Sequence, residues 1–228
     1  NFGSGDRMCY HGVMDIFRFP KFAAHFYASQ QDPKKRIVLE PATHWKLGER
    51  SVGGVNPLVI FTNCDAVDFY VGTTKIGTFK PDRKAYPNLP HPPVVCSEFR
   101  LDWGGKWNTL TLVGRLRGRE VARKQMAADG VPHQLKAWAD DKTLVADGSD
   151  CTRLAFAVTD KFGNVLPYAT GAVDLCVSGP GVLVGENPFS LVAGRGALFI
   201  RAGRRKGTVT VTAQIARLKP VHIKVRLV

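Results

Sequence analysis

Several features that would settle a function quickly are missing. No run of about 18 consecutive apolar residues occurs, so no helix is expected to span a membrane. The five cysteines, Cys9, Cys64, Cys96, Cys151 and Cys176, are odd in number and never form a C-x-x-C pair. Neither a disulfide framework nor a zinc site is therefore expected, and small buried hydrophobes in strands are the reading. Cys151 and Cys176 fall in one half of the chain, and a pairing between them stays open. His25, His44, His91, His133 and His222 share no metal-ligand spacing. No serine sits in a Gly-x-Ser-x-Gly elbow. Asp147, Asp150 and Asp160 lack the ligand order and terminal glutamate of a calcium loop, so they are expected to cap turns. No cofactor is implied. Glutamate is scarce, with only Glu40, Glu49, Glu98, Glu120 and Glu186 in 228 residues. The chain begins at Asn1 without a methionine or a signal-peptide pattern. It reads as a fragment of a longer parent, whose secretion stays open.

What is present is enough apolar sequence for a core: 44% of the residues are hydrophobic, and 228 residues allow one large or two small domains. A whole (β/α)8 barrel is excluded, since that fold typically needs about 250 residues in eight alternating units. The formal charge of +13 is concentrated in Lys34 to Arg36, Arg115 to Lys124 and Arg201 to Lys206. In Arg115-Leu116-Arg117 and Lys224-Val225-Arg226 the bases alternate with apolar residues, as on the solvated face of a half-buried strand. Solvated faces are the first reading, ahead of a patch for an acidic glycan or a partner. Nucleic acid comes last, because the basic runs lack interleaved aromatics and no nucleic-acid motif is present.

The periodicity is mostly that of strands. Leu58 to Thr62 is a continuous apolar run suited to a central strand. Val67, Phe69 and Val71 alternate with Asp68 and Tyr70, and Gly72-Thr73-Thr74 signals a hairpin into Lys75 to Phe79. Five prolines between Phe79 and Pro93 predict an extended surface loop. Val94 to Leu101, Thr109 to Val113 and Val121 to Lys124 complete a first set of strands, with Trp45 as an anchor. Turn formers from Ala128 to Pro132 mark a boundary. Beyond it, Gln134 to Ala139, Leu154 to Thr159, Val173 to Val177, Val182 to Val184, Ala197 to Arg201, Thr208 to Ala213 and Val221 to Leu227 recur at regular spacing. The expected fold is mainly β: two immunoglobulin-like sandwiches at 34–127 and 128–228, preceded by a short unit at 1–33. Trp45, Trp103, Trp107 and Trp138 would make a carbohydrate platform only if two or three were exposed and coplanar.

The unit at 1–33 is different. Tyr10 to Phe17 is apolar, as where a buried strand gives way to a loop. A helix to Gln30 follows, with Pro20 in its first turn and Phe22/Phe26 and Ala23/Tyr27 four apart; Asp32-Pro33 stops it. One strand, one loop and one helix make a poor independent domain. Gly12-Val13, Arg18-Phe19-Pro20-Lys21 and this aromatic helix, with Asp6-Arg7 upstream, resemble the last β/α unit of the catalytic barrel in glycoside hydrolase family 2. So do Gly179-Pro180-Gly181, Gly185-Glu186-Asn187 and the run Leu191 to Gly196, which follow in the order found in the C-terminal domain of that family's galactosidases.

The resemblance implies a C-terminal, non-catalytic part of a β-galactosidase-like enzyme that hydrolyses terminal β-galactosides with retention. Such chemistry needs two carboxylates about 5 Å apart. No glutamate here stands in the family's Asn-Glu pattern, so the catalytic pair is expected upstream and the chain alone should be inactive. The implied partners are that upstream barrel and a carbohydrate substrate, with neither nucleic acid nor membrane. The loop leaving a last barrel strand lies on the catalytic face, so His11, Tyr10 and Arg18 become candidate substrate-binding residues. His11 stands where the family's glucuronidases carry a lysine two residues after an asparagine, and Cys9-Tyr10-His11 speaks against a uronic acid. Each has a plainer alternative: a packed loop histidine, a core tyrosine, and an Arg18–Asp15 ion pair. A different class of function, a stand-alone tandem module binding a glycan or protein, needs no missing domain.

Overall fold

A computed structural model describes residues 12–46, 57–97 and 107–228. The chain divides into two compact units, with the division between Gly130 and Val131. Four sheets and one short helix make up the described structure.

The first unit holds α1 (Phe22–Ser29), β1 (Leu39–Pro41), β2 (Leu58–Thr62), β3 (Ala66–Val71), β4 (Thr74–Phe79), β5 (Val94–Cys96), β6 (Leu110–Leu116) and β7 (Arg119–Met126). Its sheets are antiparallel, in the orders β1-β2-β5 and β4-β3-β6-β7. The apolar run Leu58 to Thr62 is indeed the central strand of its sheet. Inward residues of both sheets, among them Leu58, Ile60, Val67, Phe69, Val94, Leu110 and Leu112, form one core. Trp45 belongs to that core: it is buried, stacks on Trp107 with ring centroids 4.3 Å apart, and donates its Nε1–H to the Asn108 carbonyl at 2.7 Å.

The second unit holds β8 (Gln134–Ala139), β9 (Thr143–Leu144), β10 (Cys151–Thr159), β11 (Ala172–Ser178), β12 (Gly181–Val184), β13 (Phe189–Ser190), β14 (Arg195–Ala202), β15 (Gly207–Ile215) and β16 (Val221–Leu227). They build sheets of order β12-β14-β10-β8 and β13-β11-β15-β16-β9, antiparallel except where β9 runs parallel to β16. Alternation is clean in β14 to β16, where every second residue enters a shared core with Leu135, Leu154, Phe156 and Val173. The capping role expected of the aspartates is visible: Asp160 Oδ1 accepts the backbone N–H groups of Phe162 and Asn164, and Asp147 Oδ1 those of Ser149 and Asp150. The N–H bonds hold the Asp147 carboxyl below the usual carboxylate range.

The cysteines split two ways. Cys64 and Cys96 are buried, and burial pushes the Cys64 thiol up. Cys151 and Cys176 are exposed and free, because they occupy outward positions of β10 and β11, which belong to different sheets. That corrects both the buried reading for these two and the open possibility of their pairing.

Asn63 ties the connection from α1 to the sheet. Its Oδ1 accepts the Val38 N–H at 2.8 Å, and its Nδ2 donates to the carbonyls of Gln31 and Arg36 at 3.1 and 2.8 Å. Asn63 is itself buried. Asn63→Ala leaves the buried Val38 N–H and two partly buried carbonyls without this partner, so it is expected to cost about 2 kcal/mol. A fall in the urea midpoint of the first unit measures it; an unchanged midpoint would show the link to be dispensable.

Candidate functional site: the segment of residues 12–30

The segment before β1 is built around one carboxylate. Asp15 Oδ1 accepts the backbone N–H groups of Phe17 and Phe19 at 2.8 and 2.9 Å, while the Asp15 N–H donates to the Phe19 carbonyl at 2.9 Å. The Lys21 N–H reaches the Val13 carbonyl at 2.9 Å, and Met14 bridges Pro20. A short aspartate favours such a turn because its side chain reaches its own backbone two residues on. Arg18 sits at the tip with φ +66° and is exposed. Asp15 and Arg18 form no ion pair among the described residues, since the aspartate is engaged with backbone donors. Pro20 lies before the helix and not in its first turn, because Met14 holds it in the bridge.

Helix α1 is weak by itself. It has eight residues, an N-cap Lys21 without a side-chain cap bond, and no acidic residue in its first turn. Helices of this length are marginal in water, so packing must hold it. On one side Phe26 meets Phe61 of β2 at 5.7 Å, and Phe22 meets His44 at 4.9 Å. At its end, Gln30 Nε2 donates to the His91 carbonyl at 2.8 Å and Gln30 Oε1 accepts the His91 N–H at 3.2 Å. The proline-rich loop is thereby latched to the helix. Nothing in the sequence marks this pair, whose members are 61 positions apart.

Several apolar side chains of the segment are exposed. Ile16 is 81% exposed, Tyr27 64%, Met14 46% and Val13 41%, whereas Phe19 is buried. Of the three candidate substrate-binding residues, the structure describes Arg18; Tyr10 and His11 lie outside the described residues. Arg18 shares its turn with the exposed Ile16.

The described glutamates are occupied separately. Glu40 pairs with Lys124 at 2.8 Å, Glu120 pairs with Arg123 at 2.9 Å, and Glu186 is exposed between β12 and β13. Glu49 and Glu98 lie outside the described residues. Among the described residues no three His, Cys, Asp or Glu side chains come together as a metal site, and no helix is long and apolar enough to cross a membrane. Trp45 is buried and so is no part of an exposed platform, Trp138 is 38% exposed, and Trp103 lies outside the described residues.

Residues 135–224 match the model of glycoside hydrolase family 2 C-terminal domain 5. A β-galactosidase of Thermoanaerobacterium thermosulfurigenes is 42% identical over 201 residues, covering 85% of this chain and 28% of that protein. A β-galactosidase sequence of Rhizobium radiobacter is 35% identical over 112 residues, covering 49% of this chain and 81% of that sequence. The fold superimposes on a β-glycosidase from Bacteroides vulgatus with a TM-score of 0.72 at 22% identity, covering 95% of this chain and 28% of that one. The chain thus spans a little over a quarter of the length of the first of these relatives. On these matches, the chain belongs to glycoside hydrolase family 2, within its C-terminal region.

Proposed function

We propose that the chain is the non-catalytic closing part of a β-galactosidase-like enzyme that hydrolyses terminal β-galactosides with retention. In this reading 1–33 are the last β/α unit of the catalytic barrel, while 34–127 and 128–228 are two immunoglobulin-like sandwiches that brace it. Tyr10, His11 and Arg18 line the rim of the terminal-sugar subsite, where a histidine or arginine can donate to neutral hydroxyls. The glutamates that act as nucleophile and acid/base belong to the upstream barrel. The observation that carries this reading is the bare apolar surface of Val13, Met14, Ile16 and Tyr27 on a segment too short to be a domain. Covering such a surface supplies about 25 cal/mol per Å² of apolar area removed from water, and neighbouring barrel units are the natural cover. The names of the relatives support the galactoside.

The test joins this chain to the upstream part of the Thermoanaerobacterium thermosulfurigenes β-galactosidase in place of its matching region. Hydrolysis of an aryl β-galactoside, but not of an aryl β-glucuronide, is expected, and the isolated chain should hydrolyse neither. Ile16→Asp places a charge on the docking surface. It should lower the hybrid's activity at least about tenfold while changing the isolated chain's stability by no more than about 0.5 kcal/mol, as usual for an exposed position. A soluble hybrid without galactosidase activity would refute the assignment, and full activity of Ile16→Asp would refute the docking role of this surface.

A further inference from the structure

The outer face of the five-stranded sheet in the second unit sets a row of hydroxyls beside a row of cations. In β15, Thr208, Thr210 and Thr212 point away from the buried Val209, Val211 and Ala213; in β16, His222, Lys224 and Arg226 point away from the buried Ile223, Val225 and Leu227. The antiparallel register puts Thr208 opposite Arg226, Thr210 opposite Lys224 and Thr212 opposite His222. Thr212 Oγ1 and His222 Nδ1 lie 2.9 Å apart. Opposed residues are about 5 Å apart, and same-face neighbours along a strand about 7 Å, so the face is a regular comb of donors. Lys206 immediately precedes β15 and is exposed. With Thr208 and Arg226 it lines a cleft of about 310 Å³ that Gly207, Leu227 and Val228 complete.

These charges are only partly balanced: the terminal carboxylate of Val228 lines the same cleft. Lys206, Lys224 and Arg226 form no ion pair among the described residues. The one carboxylate on the outward positions of β11, β15 and β16 is Asp174, opposite Gln214 near the far end of β15 from Thr208. In the loop after β9, Asp147 and Asp150 turn carboxylate oxygens to backbone N–H groups of Ser149, Asp150 and Val145. No Phe, Tyr or Trp stands on the outward positions of these three strands, so a nucleobase would find no ring to stack on.

We propose that this face binds an acidic polysaccharide. Arg226 and Lys206 hold a carboxylate or sulfate in the cleft, with Thr208 donating to it, and Thr210 and Lys224 take hydroxyls or a second acid of the same polymer. Guanidinium pairs well with planar carboxylates and with sulfate oxygens, and the hydroxyl comb suits a glycan. Each exposed contact is worth little singly; a polymer that engages several in register adds them.

The test is affinity electrophoresis of the 228-residue chain in native gels containing polygalacturonate, chondroitin sulfate or a neutral galactan, with single-stranded DNA and poly-glutamate as competitors. Retardation by the acidic glycans and none by the galactan is expected, and comparing the two acidic gels separates carboxylate from sulfate preference. The triple variant Lys206→Ser, Lys224→Thr, Arg226→Thr should weaken retardation about tenfold. The equally neutralising Lys34→Ser, Lys35→Ser, Lys84→Ser should change it less than about twofold, net charge alone being a weak determinant. If the first triple variant does not fold, Arg226→Gln alone decides, with a loss of about threefold expected. No retardation, equal retardation by galactan, an equal loss in the control triple, an unchanged Arg226→Gln, or displacement by DNA or poly-glutamate at lower concentration than by polygalacturonate would each overturn the proposal.

Discussion

Gly194→Ala is expected to destabilise the second unit by about 3–5 kcal/mol, from backbone strain and overpacking together. The residue closes the tight turn in which Val192 bridges Arg195, just where β14 begins, and both central residues have positive φ: Ala193 at +51° and Gly194 at +71°. Such turns favour glycine because a Cβ crowds the backbone in this region. Ala193 already bears that strain. A Cβ on Gly194 would in addition overlap the carbonyl of Leu166, a backbone group that cannot swing aside. The Gly194 carbonyl also accepts the Val158 N–H at 2.9 Å, so a displaced turn would disturb the edge of β10. For a unit of this size a loss of that magnitude lowers the melting temperature by roughly 15 °C or more. Gly118→Ala is the control: φ is +79°, yet nothing lies within 4 Å of the added carbon. It should cost only the backbone part, about 1 kcal/mol. Equal losses at the two positions would show that the Leu166 carbonyl plays no role.

The second large effect concerns Asp68. Its carboxylate is buried on the face of β3 opposite the core, where Thr78 Oγ1 donates to Oδ1 at 2.5 Å, Lys75 Nζ lies 2.9 Å from Oδ1, and Arg115 Nε donates to Oδ2 at 2.7 Å. Burial by itself would raise this carboxyl; the hydroxyl, the ammonium and the guanidinium together outweigh it and hold the pKa at about 2. Asp68→Ala strands two cations that remain partly hydrated, and about 3 kcal/mol should be lost. The pH dependence is more diagnostic. A carboxylate whose folded pKa lies below its unfolded value contributes stability that is complete above about pH 4 and disappears as pH falls towards 2. At about 1.4 kcal/mol per pKa unit the contribution is roughly 2 kcal/mol. The stability gap between the parent and Asp68→Asn, from urea unfolding at successive pH values, should therefore shrink by about that amount between pH 6 and pH 2. A gap independent of pH would mean that the charge on Asp68 contributes nothing.

Asp68 also shows where sequence reading stops. Alternation with Val67 and Phe69 places it on the polar side of a half-buried strand, and that side is correct. Its burial depends on Lys75 and Thr78 from the next strand and on Arg115, 47 positions away, which no local pattern links. Strands with a strong intrinsic pattern were legible to the residue: Leu58 to Thr62, Gln134 to Ala139 and Val221 to Leu227 are β2, β8 and β16. The two-residue strands were not, because tertiary packing creates them. Phe189 of β13 enters the core against Phe156, and β9 exists only as a partner for the end of β16. In residues 12–30 the apolar character of the segment was legible, and Ile16 and Tyr27 are exposed there. It did not show the left-handed backbone at Arg18 or the Asp15 turn beneath it, since both depend on how an aspartate spends its lone pairs.

The latch between Gln30 and His91 makes one amide into a reporter. Prolines at 87, 90, 92 and 93 supply no N–H, so His91 is one of the few positions in that stretch whose hydrogen can exchange with heavy water. Its N–H is held by the Gln30 side chain and not by a strand neighbour. The rate at which deuterium enters at His91 thus follows the local opening of the helix end. Under the docking proposed above, slower uptake at His91 is expected in the hybrid enzyme than in the isolated chain.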